Sequence, residues 1–232
     1  MDIYSFRHAI EEILHFSADK SGYLSDDNEF SKKAIAYHLV SARAIVILEQ
    51  LRLGKPLSEN MFQTLHGVEL KEENRTSEVP FAPESGCYWL KSVEPIPSML
   101  NISIVGDILA SERFDYLKWR SFDFIKHSRI RSAKKAKYWT IREIDGFHYL
   151  YIYNDNFMEG AAITAIFYNP MDAAKFPNFG KVNEEALCNP LDVNFYTDPN
   201  LREIIFKIVL QTMFAVNKEV DILENDKKDV KP

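Results

Sequence analysis

Asn189-Pro190-Leu191-Asp192-Val193-Asn194-Phe195-Tyr196-Thr197-Asp198-Pro199 leads into an apolar run from Leu201 to Val216. The side chain of Thr197 or Asp198 can accept from a free backbone N–H of a following helix. Pro199 suits the first turn, where its missing donor costs nothing. The stretch therefore predicts a closing helix. Two more helical patterns lie before residue 66, and the middle of the chain reads as strands. The predicted fold is α+β, a helical core of two N-terminal helices plus the C-terminal helix with an antiparallel β insert. Residues 1–100 form the N-terminal helical part with an irregular excursion, 101–170 the β insert, and 171–232 a loop, the last helix and a polar tail. The first and third parts are expected to share one core.

In the first helix, Ile3, Tyr4, Phe6, Ile10, Ile13 and Leu14 recur at steps of three and four, the stripe of a helix burying one face. It is expected to end near Phe16, with Ser17 to Gly22 as a polar connector. Ser25 or Asp26 can cap a second helix, with Glu29 reciprocating and Leu24 as staple. That helix runs to about Leu53, where Gly54 and Pro56 supply the stop. Its apolar residues, from Phe30 through Ile35, Leu39, Val46 and Leu51, form a stripe wide enough for neighbours on more than one side. A short helix from Ser58 to His66 is expected next. The four prolines between Glu69 and Pro97 and the polar run from Lys71 to Glu78 predict an irregular excursion, with Cys87-Tyr88-Trp89-Leu90 as its apolar exception.

Beyond Leu100 the period changes. Asn101 to Val105, Lys137 to Ile141, Phe147 to Tyr153 and Ala162 to Tyr168 are β-branched or aromatic with turn residues between them. Asp145-Gly146 predicts a tight hairpin because both positions accept positive φ. Tyr149, Tyr151 and Tyr153 share one strand face while Leu150 and Ile152 share the other, which predicts a strand packed on both sides. Asn169-Pro170 opens a loop-rich stretch, and the tail from Glu224 to Pro232 is expected to be frayed or ordered by a partner.

With 232 residues, 46% hydrophobic and 27% charged, the chain can bury a sizeable core. A net charge of −6 gives no global attraction to nucleic acid or anionic membrane. Cys87 and Cys188 are far apart and lack metal-ligand spacing, which fits a reduced compartment. The start shows neither a secretory signal nor a run of membrane-spanning length, so a protein that is soluble and cytosolic when made is expected. Six histidines, His8, His15, His38, His66, His127 and His148, show no convergent spacing. Asp115 and Asp123 could be called paired carboxylates, but they flank aromatic residues in a possible strand or helix, and most such pairs are solvated. No nucleophile elbow, phosphate loop, His-Glu-x-x-His or dinucleotide fingerprint occurs. No catalytic, cofactor-binding or metal residue is expected, and the chain reads as no enzyme.

The strongest local signal is basic. Residues 126–137 contain Lys126, His127, Arg129, Arg131, Lys134, Lys135 and Lys137 and no acid. Three readings remain open for this run: contact with a phosphate backbone, docking on an acidic neighbour, or a solvated loop. The first of these is the nucleic-acid-binding alternative for the whole chain.

Order of elements and wording together resemble one family. Two N-terminal helices, an aromatic β insert, Ala165-Ile166-Phe167-Tyr168-Asn169-Pro170, then Asp192-Val193-Asn194-Phe195 and Asp198-Pro199-Asn200-Leu201 opening a last helix are similar to the neck ring proteins of crAss-like tailed bacteriophages. Ser-Gly-Cys-Tyr-Trp-Leu-Lys around Cys87 and Ile96-Pro97-Ser98 fit as well. The resemblance implies a structural virion protein, a head-to-tail connector assembling as a ring, commonly twelvefold, between portal and tail. Its implied partners are copies of itself, the portal protein, other neck or tail proteins, and DNA that passes without sequence recognition. It implies no membrane partner, no cofactor and no catalytic residue.

Overall fold

The computed structural model describes residues 4–21, 31–73, 89–109, 112–121, 136–153, 158–177 and 189–213. The chain divides into two compact units, residues 1–61 with 189–232, and residues 62–188.

The first unit is helical. α1 spans Phe6–Ser21 and α2 Lys32–Arg52. α1 continues past Phe16 because nothing between Ser17 and Ser21 breaks a helix; the polar composition was a poor stop signal. Ser31 is the N-cap of α2, its Oγ accepting from the Ala34 N–H at 3.2 Å, so the helix starts at Lys32. The expected caps Ser25 and Asp26 lie outside the described residues. At the other end Gly54 (φ 64°) donates to the Leu51 carbonyl and Lys55 to that of Gln50, both at 3.0 Å, the paired bonds of a glycine C-cap.

The stretch 189–201 folds back onto these helices. Phe195 donates its N–H to the Tyr4 carbonyl at 2.8 Å, Phe6 donates to that of Val193 at 3.0 Å, and Arg7 pairs with Asp192 at 2.8 Å. The rings of Phe6 and Phe195 meet edge to face at 4.9 Å. Asp198, not Thr197, caps the last helix, its carboxylate accepting from the Asn200 N–H at 2.9 Å. A single 3-10 turn then leads into α4, described over residues 202–213.

Arg43 of α2 is fully buried in this unit. Its Nε donates to the Tyr196 carbonyl at 2.6 Å and Nη2 reaches that of Met61 at 3.5 Å. Burial pushes the guanidinium down to about 9, so it remains charged at neutral pH.

The second unit is a seven-stranded sheet in the order β3-β7-β1-β2-β6-β5-β4. Its strands are β1 Gln63–Glu72, β2 Trp89–Ser92, β3 Met99–Asp107, β4 Asp115–Tyr116, β5 Tyr138–Ile144, β6 Phe147–Tyr153 and β7 Gly160–Phe167. All neighbours are antiparallel except β4 and β5. The two outermost strands approach each other where Gly106 bridges Arg113, and Phe114 donates its N–H to the Val105 carbonyl at 2.9 Å. The sheet thus curls into a nearly closed barrel, helped by shifts of register within β1 and β3.

This corrects the expectation of a helical core carrying a small β insert. The fold is α+β, but the sheet is a body of its own and begins at Gln63. Residues 58–66, expected to be helical, contain a 3-10 turn at Glu59–Met61 followed by the start of β1. The supposed irregular excursion contributes the end of β1 and all of β2. Asn169-Pro170 opens not a loop but the short helix α3, Pro170–Ala174, whose Asn169 cap accepts from the Met171 N–H.

The sheet is packed on both faces. Leu90, Leu150 and Ile152 face one cluster with Leu65, Val68, Ile163, Phe167 and the Phe176 side chain. Trp89, Tyr151 and Tyr153 face another, covered by Trp119. Asp145 (φ 52°) and Gly146 (φ 82°) form the hairpin turn read from the sequence.

Two substitutions test these supports. A Cβ on Gly106 would overlap the Glu112 carbonyl oxygen. Gly106→Ala should therefore part β3 from the 112–114 segment and lower stability by about 2 kcal/mol in urea unfolding. Arg43→Ala leaves a cavity and takes the guanidinium donor from the buried Met61 carbonyl and the part-buried Tyr196 carbonyl; a loss of roughly 3 kcal/mol is expected by the same measurement.

Candidate assembly surfaces

Of the basic run, Lys126, Arg129, Arg131, Lys134 and Lys135 lie outside the described residues, as do His127, Asp123, both cysteines and the polar tail. Lys137 is described. Its Nζ sits 2.7 Å from Glu112 Oε2 and 5.5 Å from the centroid of the Phe114 ring. The last charge of the run is therefore tied to an acid that is remote in sequence, on the segment leading into β4.

The tyrosine strand offers no stacking platform. Tyr151 and Tyr153 are buried against Trp89, and Tyr149 is half-buried with Lys91 Nζ 4.5 Å from its ring centroid. Arg142 closes the same face, its guanidinium 4.2 Å from the Trp119 ring. Bases cannot reach aromatic faces already occupied by rings and cations.

Ionisable groups show no catalytic arrangement among the described residues. No group of three or more His, Cys, Asp or Glu side chains is placed to hold a metal ion there. His8 Nδ1 lies 2.9 Å from Ser5 Oγ, a local helix-start contact. Burial and a hydrogen bond to Glu12 push the Tyr4 phenol up, and burial with Asp115 nearby pushes Tyr138 up; both move away from neutrality. Asp115 is exposed.

What the structure does present is apolar surface. On α2, Tyr37 is 69%, Ile45 58% and Leu48 48% exposed, and with Ala34 and Ser41 they follow one line along the helix. By length and composition α2 could cross a membrane, the one such helix among the described residues, yet half of its apolar window is buried inside the protein. Burial of Arg43 on its inner side marks it as a core helix with one uncovered face. In the second unit, a groove of about 640 Å³ runs beside β3, lined by its residues Met99 to Val105 and by Arg113, Phe114, Tyr116, Trp139 and Ile141. Tyr37, Ile45 and Leu48 belong to the wide apolar stripe expected of the second helix, whereas the groove was not foreseen. The breadth of the α2 stripe was the available signal for the first; the groove depends on a closure that no local pattern records.

Packed sheet, uncovered helix face and open groove define a protein whose surfaces suit association with other proteins. The chain belongs to the phage tail ring protein 2 family of crAss-like phages, whose family model matches residues 9–230. No curated protein matches it. Membership makes it a phage tail ring protein, a structural component of the virion whose ring implies association of several copies.

Lys137 thus has a partner within its own chain. Lys137→Ala should lower stability by at most about 1 kcal/mol, since the pair is partly exposed, and the loss should shrink in high salt. Thermal melts at two salt concentrations measure it.

Proposed function

We propose that this chain forms a closed ring in the neck of the virion, between portal and tail, around the channel through which DNA leaves. The observation that carries the reading is the uncovered apolar line of Tyr37, Ile45 and Leu48 on α2. A helix whose opposite face already fills a core gains by burying such a line against another protein. A ring repeats one heterologous interface until the rotation closes, so each copy needs two different complementary faces, of which the α2 line is one. Twelve copies is the stoichiometry the family resemblance implies.

The net charge of −6 suits a channel wall, because strong phosphate binding would slow passing DNA. The rest of the basic run, Lys126, Arg129, Arg131, Lys134 and Lys135, docks on an acidic surface of a neighbouring neck or tail protein, Lys137 being held by Glu112 of its own chain. The last helix docks against the portal or the ring core.

Imaging of the mature particle tests the placement: the chain should average around the tail axis in the neck, and its absence there would refute it. At the level of residues, Ile45→Asp with Leu48→Asp should reduce ring formation at least tenfold, as loss of a central apolar contact does. The melting temperature of the free chain should move little, since both side chains are exposed. Replacing residues 126–135 by a short Gly-Ser linker should abolish joining to the neck partner while the monomer stays folded. Mass measurement of the assemblies and thermal melts of the monomers read both outcomes; undiminished assembly by either variant removes that surface from the interface.

A further inference from the structure

We propose that residues 62–188, the sheet unit, are an inserted module that folds and unfolds on its own, whether or not the chain assembles into a ring. Each unit holds its own two junctions close together. In the sheet unit, Gln63 opens β1 opposite Ala165 of β7, and its Nε2 donates to the carbonyl of Pro170, the first residue of α3, at 3.4 Å. The strand that begins the unit therefore lies beside the elements that end its described part. In the helical unit, Met61 ends the first stretch of chain and Tyr196 belongs to the returning one, and the carbonyls of both accept from the same Arg43 guanidinium. Close entry and exit points are what allow one domain to interrupt another without straining either.

The apolar interior of the sheet unit is also its own. Every buried member of its larger cluster lies between Leu65 and Phe176, drawn from strands on both sides of the curl and from α3. The aromatic cluster of Trp89, Tyr151 and Tyr153, with Trp119 and Tyr138 packed on it, falls inside the same limits. The ladder is internal as well, because all seven strands pair with one another. The commonest domain length is about 100–150 residues, and the unit falls in that range, so it can bury enough surface to offset the entropy of its own chain.

The helical unit is built differently. Phe195 donates to the Tyr4 carbonyl and Phe6 to that of Val193, so the residues that precede the sheet unit are completed only by residues that follow it. Closing that contact across an unfolded insert costs loop entropy. A sheet unit that folds first brings Gln63 beside α3 and shortens the loop the helical unit has to close. Two cooperative transitions follow in place of one.

Scanning calorimetry of the full chain, at a dilution where it is a single copy, tests this. Gly106→Ala strikes the sheet unit and should lower one transition by about 5 °C or more. The other should stay within about 2 °C of its parental temperature. Arg43→Ala strikes the helical unit and should do the reverse. Where the two parental transitions overlap, either variant should split the single peak. If Arg43→Ala keeps the helical unit from folding at all, the sheet transition should persist at its parental temperature. A single peak that moves as a whole in both variants, or the loss of every transition in Arg43→Ala, overturns the proposal.

Discussion

Tyr151 and Ile152 are neighbours in sequence, point to opposite faces of β6, and are both fully buried. That single constraint organises the second unit. A central strand buried on both sides needs two covers, and the chain builds them differently. On the Ile152 side the sheet covers itself, because curling brings the residues of β1, β3 and β7 over those of β2 and β6. On the Tyr151 side the cover is aromatic, with Trp119 on a turn after β4 set 5.4 Å from Tyr151 and 5.0 Å from Trp89. Offset and edge contacts between rings add to the area they bury, which lets one short turn close a face that otherwise needs a helix.

The helical unit depends on Arg43 in a comparable way. A charged side chain in the middle of an apolar helix is expensive to bury, and its position is defensible only if the donors are used. They are used on backbone carbonyls of segments distant in sequence, so α2, the turn at Met61 and the strand-like stretch around Tyr196 hold one arrangement. Apolar packing alone tolerates sliding of a helix along its neighbours; a buried guanidinium directed at particular carbonyls does not.

Legibility in the sequence followed the range of the interaction. The Asp145-Gly146 hairpin, the Asp198-Pro199 helix start and the Gly54 stop were readable because their physics lies within four residues. The two-sided packing of β6 was readable from the alternation of tyrosine with Leu150 and Ile152. β1 escaped because Gly67, at φ 71° beside a register shift, interrupts the alternation, and because its outer half is polar. β2 escaped because four residues flanked by prolines carry no period at all. Of the assembly surfaces, the breadth of the α2 stripe was visible in advance, whereas the groove arises from which strands become neighbours, a property of the whole sheet. Most of the basic run lies outside the described residues, and its one described member, Lys137, is bound to Glu112 in the same chain.

Among the described residues the buried groups with shifted pKa lie in the helical unit, Arg43 pushed down by burial and the Tyr4 and Tyr196 phenols pushed up by it. What is concentrated is unmet packing. The α2 line carries exposed Tyr37, Ile45 and Leu48 on a helix whose other side is buried, and among the described residues the β3 edge from Met99 to Ile104 borders an open groove. Both raise the free energy of the isolated chain through exposed apolar area. Contact with further protein would relieve both, and they differ in kind, one a helix face and the other a groove beside a strand. Two unlike surfaces favour head-to-tail repetition over a twofold pair, and that preference is the physical requirement for a ring.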